Sequence, residues 1–419
     1  MRNRRRRKAT AASDNNTDSV PTHLPTGWTF IVSAAYSVTG HRNGPRKTRL
    51  IGEKAHYQCA CGQAVFFRNS VCLACSSPLG FAPDRGEIVP LSPDGEADTW
   101  RITDDPKSQV YLRCANLTMP AGCNWLVPQA SGQTLCVACQ LNRTIPDLSV
   151  EGNGERWHKI EAAKRRLVAQ LLDLGLPLIS KAQNEETGLA FDLLGTDAEG
   201  QNPLTGHSGG LITLNVAEAD DAHRERMRAQ LHEPYRTLLG HFRHEVGHYY
   251  WDRLIAGSGW LDDFRRLFGD ERLDYGEALQ RHYDNGAPAD WQQSFVSAYA
   301  TMHPWEDWAE TWAHYLHMMD TLDTAVGFGM TATNSDLDYV PYTRDVLYDP
   351  QDEQGDDFIA FVNAWIEMAA MLNELARSMG QPDTYPFVLP APVIAKLHFI
   401  HRVVQTRGNP PSLANLNDA

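Results

Sequence analysis

The segment "GHFRHEVGHYYW" sets His244, Glu245 and His248 in an H-E-x-x-H arrangement. In a helix, residues four apart share a face about one turn from each other, so both imidazoles are able to bind a single ion. Glu245 sits roughly 100° round the helix from His244. Its carboxylate thereby reaches the rim of such a site, where it is able to take a proton from a water that the ion activates. Zinc suits this set, because a catalytic zinc uses three protein ligands and keeps one position open. The ion acidifies water and polarises a carbonyl. The plainer reading is an amphipathic helix whose histidines make ordinary polar contacts.

A third ligand is needed. The segment "SAYATMHPWEDWAETWAHYLHM" offers Glu306 and Glu310, again four apart on a helical pattern. Here the chain resembles the gluzincin class of metallopeptidases. In that class a second helix supplies a glutamate ligand, followed four residues later by an acid that supports a ligand histidine. The resemblance implies Glu306 as the zinc ligand and Glu310 behind a histidine, accepting its free N–H and fixing its tautomer. The swapped assignment stays open. It also implies that Tyr299, seven residues before Glu306, donates its hydroxyl to the charge of the tetrahedral intermediate; a packed tyrosine is the alternative. The strand-like "GGLITLNV" fits an edge strand beside the cleft, which would pair with an extended peptide, or else a strand buried in the core. His303, His314 and His317 read as helix-face or packing residues, and His241 is not taken as a ligand. Tyr249, Tyr250, Trp251, Trp305, Trp308 and Trp312 read as core rather than as substrate subsites.

All eight cysteines fall between Cys59 and Cys139. Cys59, Cys61, Cys72 and Cys75 form one quartet, and Cys114, Cys123, Cys136 and Cys139 a second; each ends in C-x-x-C. Two thiolates on each of two loops is the logic of a tetrahedral structural zinc site. The C-x-C at 59–61 is tighter than a usual knuckle, so His56 is an alternative ligand there. The long gap from Cys114 to Cys123 leaves interleaved quartets open. No βαβ context surrounds either C-x-x-C, which argues against a redox role.

These residues must be positioned by two kinds of structure. Short β-type runs ("AVFF", "VYLRC") broken by Gly, Pro and Asn accompany the cysteines, as in a small metal-stapled β module. Beyond a boundary near 146–154 helical patterns dominate. They are expected at 156–174, over 221–255 with a break near Pro234, and at 291–300, 305–322, 356–379 and 392–404. The fold expected is α+β: a polar, basic tail over 1–45, a double zinc-ribbon over 46–148, and a mainly helical metallopeptidase-like domain with a short edge sheet over 149–410.

Hydrophobic residues make up 42% of the 419, enough for a sizeable core, and the formal charge is −14. Six basic residues sit within 2–8; without them, 32 basic face 52 acidic side chains. So acidic a body repels nucleic-acid backbones. No apolar signal core follows the arginines and no run of about 18 apolar residues occurs, so a cytoplasmic protein is expected. Taken together, the chain is similar to a bacterial family of zinc-binding metallopeptidases with an N-terminal zinc-ribbon domain. The stretches that carry this are "CGQAVFFRNSVCLACSSPLGF", "CNWLVP", "EPYRTLLGHFRHEVGHYYWDRL", "FGDERLDYGEALQRHY" and "HPWEDWAETWAHYLHM". It implies one catalytic and two structural zinc ions and a peptide or protein substrate. A protein partner at the ribbons, or a self-sufficient scaffold, is expected there rather than nucleic acid.

Overall fold

The computed structural model describes residues 57–196, 203, 205–230, 236–330 and 337–407; the tail expected over 1–45, and His56, lie outside them. A cysteine-bearing β region comes first and a mainly helical region follows, with eight α-helices among the described residues, so the protein is α+β. The tight C-x-C is housed by a hairpin of β1 (Tyr57–Gln58) and β2 (Ala64–Val65). Gly62 turns this hairpin at φ +87°, a conformation that glycine adopts without a Cβ clash. Five antiparallel strands follow in the order β3-β4-β5-β6-β7, namely Leu79–Ala82, Glu87–Pro93, Thr99–Ile102, Tyr111–Arg113 and Leu126–Pro128. β6 runs into Cys114, and Trp125 next to β7 packs on Phe81 with ring centroids 4.6 Å apart.

The helical region opens with α1 (Asn153–Asp173), which stops where Gly175 turns left-handed and the Leu176 N–H bonds back to Leu171 O. A four-stranded sheet, ordered β10-β11-β9-β8, lies beside it: β8 is Asn142–Thr144, β9 Ala190–Leu194, β10 Gly206–Ser208 and β11 Leu211–Asn215. "GGLITLNV" thus supplies β11, an inner strand, while the edge is the shorter β10 just before it. β8 precedes the expected boundary near 146–154, yet it pairs in parallel with β9 of the helical region.

The expected 221–255 stretch divides into α2 (Asp221–Gln230) and α3 (Leu238–Leu254), with Thr237 capping α3 by accepting the Gly240 N–H at 3.0 Å. Next come α4 (Leu261–Phe268) and α5 (Tyr275–Asn285), neither expected as separate helices. The helix expected at 291–300 is replaced by two 3-10 turns, Trp291–Gln293 and Tyr299–Thr301. Ser297 caps the second by accepting the Ala300 N–H, an alternative to continuing helix. α6 (Pro304–Gly327) starts on a His303 cap with Pro304 in its first turn, where a missing N–H costs nothing. α7 (Gly355–Ser378) and α8 (Ala391–Thr406) complete the bundle. Of the described helices, α7 is the one long and apolar enough to cross a bilayer. Phe358, Phe361, Val362, Trp365 and Met368 turn one side of it into the core.

Candidate functional site

α3 and α6 form the central pair. Gly247 makes their closeness possible: a Cβ there would stand 3.0 Å from the Ala309 Cα. Trp308 donates its indole N–H to Gly247 O at 2.8 Å and locks the crossing. Tyr249, Tyr250, Trp308 and Trp312 are buried around it, as expected of core residues. Trp251 is buried with them and Trp305 packs against the same core, and both also border a cleft of about 490 Å³.

That cleft brings His244, Glu245, His248, Tyr299 and Glu306 together, with His207 and the rest of β10 along one wall. His244 Nε2 and His248 Nε2 are 3.2 Å apart, and Glu306 places Oε2 3.0 Å from the first and Oε1 3.5 Å from the second. A tetrahedral ion with bonds of ~2.0–2.1 Å has ligand-to-ligand edges of about 3.3 Å, so the three donors have the spacing zinc needs. Glu310 Oε1 sits 2.6 Å from His244 Nδ1 and its Oε2 accepts from the Ser297 hydroxyl at 2.7 Å. The carboxylate therefore takes the Nδ1 hydrogen and leaves a lone pair on Nε2. That lone pair faces Glu306 Oε2, a buried oxygen that accepts no hydrogen bond. Acceptors facing acceptors in a buried pocket call for a cation, and the residues fit zinc.

The electrostatics agree. Burial alone would depress His244, but the flanking carboxylates of Glu306 and Glu310 override it and hold its pKa well above the ordinary value, so the pocket favours positive charge beside Nε2. Burial would likewise raise Glu306, yet the flanking histidines hold it well below the carboxylate range. Glu245 is pulled down to about 2: burial opposes ionisation, but the His241 hydrogen bond and the charges of His244, His241 and His248 win. His241 Nε2 lies 3.2 Å from Glu245 Oε1, so the histidine set aside as a ligand instead touches the carboxylate at the rim.

Three further residues carry no legible motif. Tyr275 on α5 donates to Glu306 Oε1 at 2.9 Å, and the Tyr299 hydroxyl bonds to Tyr275. Ser297 holds Glu310. His207 stacks on His248 with centroids 6.1 Å apart and accepts the Gly210 N–H at 2.9 Å. The other α6 histidines stay out of the site: His303 caps the helix, His314 meets the Tyr385 hydroxyl at 2.6 Å, and His317 meets Arg243 at 2.6 Å.

The cysteines form two separate clusters rather than interleaved ones: Cys59, Cys61, Cys72 and Cys75, and Cys114, Cys123, Cys136 and Cys139. Sulfur pairs stand at 3.6 Å (Cys59–Cys75), 3.7 Å (Cys61–Cys72) and 3.6 Å (Cys123–Cys136), with all eight thiols free of disulfides. A tetrahedral zinc with ~2.3 Å bonds to sulfur requires edges of about 3.8 Å, and both clusters fit it.

The family described as "Putative zinc-binding metallo-peptidase" matches residues 153–403. The chain belongs to that family. A zinc-ribbon domain family matches residues 56–150, over the two thiolate clusters, so zinc is the metal that both halves of this metallopeptidase relative support. Proteins of Mycobacterium tuberculosis and Mycobacterium bovis, each called uncharacterized, are 46% identical to it over 346 residues, which is 82% of this chain and 93% of theirs. No solved structure matches the chain.

Proposed function

We propose that the chain is a zinc-dependent peptidase in which His244, His248 and Glu306 hold the ion and Glu245 is the general base. The observation that carries this reading is the convergence of three inward-facing donors in a cleft that also exposes Glu245 and the edge strand β10. Zinc, when bound, supplies Lewis acidity toward the substrate carbonyl and toward water. The chain's own residues do the rest. Glu310 fixes the His244 tautomer so that Nε2 offers its lone pair. Glu245, kept ionised by His241, accepts a proton from the attacking water and passes it to the leaving amine. Tyr299, kept protonated because burial raises its hydroxyl pKa, donates toward the oxygen on which charge develops. Tyr275 orients both Tyr299 and Glu306. The outer edge of β10 pairs with an extended peptide backbone and lays the scissile bond across the donors.

Elemental analysis of the wild type and of a His244→Ala/His248→Ala variant tests the centre: about three zinc ions per chain should fall to about two. Glu245→Gln should keep the metal and lose cleavage of extended peptides. If the double variant loses no zinc, the metal assignment fails. A wild type that holds three zinc ions yet cleaves no peptide is a binding protein instead.

A further inference from the structure

α3 presents His241, Glu245, His248 and Asp252 at intervals of four, three and four, the spacing of one helical face. Asp252 is the last of the four and lines the same cleft, together with Trp251 and Trp305. It is exposed, and its carboxylate makes no hydrogen bond or ion pair among the described residues. The Arg253 guanidinium itself turns to Thr187 O at 3.0 Å.

The carboxylates lining the cleft are Glu245, Glu306 and Asp252, and no lysine or arginine lines it. Glu245 and Glu306 stand at the donors, with Glu310 behind His244, whereas Asp252 lies apart from them along the helix. A cleft lined by carboxylates and by no lysine or arginine draws cations toward it. The wall beside it suits one too: the half-buried Trp305 is held edge to face by the buried Trp251, with centroids 5.5 Å apart, and indole rings attract ammonium and guanidinium groups. Asp252 lies four residues beyond His248, about 6 Å along the helix axis. An extended peptide advances roughly 3.3 Å per residue, so the group that meets Asp252 sits one or two positions from the scissile bond.

We infer that Asp252, with Trp251 and Trp305, forms a subsite for a lysine or arginine side chain within about two residues of the scissile bond, making basic peptides the substrate class. This rests on the peptidase reading. The acidic charge of the whole chain, −14, draws such peptides toward the cleft.

The test is a set of extended peptides that differ at one position, with Lys, Arg, Leu or Glu at each of the two residues on either side of the cleaved bond. The zinc-loaded wild type should show kcat/KM about ten- to a hundredfold higher for Lys or Arg than for Leu at one of those positions, the worth of one charge-assisted bond. Asp252→Asn should collapse that ratio toward one, and Asp252→Lys should turn it toward Glu. Metal content is measured alongside. In parallel, the zinc-loaded Glu245→Gln protein should bind the Lys peptide more tightly than the Leu peptide, read by tryptophan fluorescence, and lose the difference when Asp252→Asn is added. Cleavage with no basic preference overturns this inference and leaves the peptidase reading standing. So does an Asp252→Asn protein that loses zinc, since the residue would then act by supporting His248. Cleavage of no peptide at all overturns the peptidase reading, and this inference with it.

Discussion

Replacing Glu310 probes the centre at a point that touches neither water nor substrate. Its two oxygens hold His244 Nδ1 at 2.6 Å and the Ser297 hydroxyl at 2.7 Å. The carboxylate therefore fixes His244 in orientation and tautomer, and is itself fixed from behind. Carboxylates in this position are worth about 10- to 100-fold in metal affinity, or about 1.4–2.7 kcal/mol. Glu310→Gln keeps an oxygen for the Nδ1 hydrogen but removes the charge, so it belongs near the tenfold end. Glu310→Ala removes both and belongs near the hundredfold end. Ser297→Ala, which only frees the carboxylate to swing, should cost less than either. The assay is chelator competition for the most weakly held zinc, because a three-ligand site should yield its ion before two four-thiolate sites do. Thermal unfolding of each zinc-saturated variant separates a local loss from a global one. Unchanged affinity in Glu310→Ala would refute the reasoning. Retention of the labile zinc in Glu306→Ala alongside its complete loss in Glu310→Ala would exchange the two roles.

Two other predictions concern the frame. Gly247→Ala puts a Cβ 3.0 Å from the Ala309 Cα and 3.3 Å from Trp312, and backbone cannot retreat as a flexible side-chain end does. We expect a loss of about 1–3 kcal/mol in thermal unfolding, and weaker zinc binding because Glu306 and Glu310 ride on the displaced helix. The buried His401 accepts from the Gln405 amide at Nε2 and so donates from Nδ1 to Tyr315. Burial first, and then the charge of His398, pushes its pKa from 6.5 down to about 3. The unfolded chain takes up that proton first, so this stability is complete above pH 6.5 and drains as pH falls from 6.5 toward 3. At pH 5 the loss is about 2 kcal/mol. His401→Leu should lower stability at pH 7 yet flatten its fall between pH 7 and 5.

What was legible in the sequence is what depends on short spacing. Four-residue intervals put His244 beside His248 and Glu306 beside Glu310 whatever the tertiary fold, and paired cysteines group themselves in the same way. Of the two readings open for "GGLITLNV", the inner strand holds, for a physical reason. "LITLN" alternates and is apolar because β11 lies inside its sheet, whereas the edge β10 is Gly-His-Ser and carries no strand signal. The stretch at 291–300 has helical apolar content, but the Ser297 hydroxyl takes the Ala300 N–H, and 3-10 turns result. Tyr275, Ser297, Gly247 and Asp252 take their significance from α3 crossing α6, or from a loop folding back. Tyr275 lies in the family-like stretch "FGDERLDYGEALQRHY", but no spacing there says that it reaches Glu306 on another helix.

The ribbon and the catalytic half meet in a way that bears on how the site is held. Arg165 of α1 donates to Ala121 O, two residues before Cys123, at 3.3 Å. Lys164 and Glu161 form a fully buried ion pair at 2.7 Å, and Asn142 of β8 donates to the same glutamate at 2.8 Å. One turn further along, α1 reaches the two helices of the site. Arg166 pairs with Asp320 of α6 at 2.7 Å, and Gln170 accepts from Arg243, the residue before His244, at 2.8 Å. One hydrophobic cluster runs from the ribbon cysteines through α1 to α3, α6 and α8. A charged pair buried without water is stable only while both partners stay in register. The second thiolate cluster is therefore packed, through Ala121 and α1, against the two helices that carry His244 and Glu306.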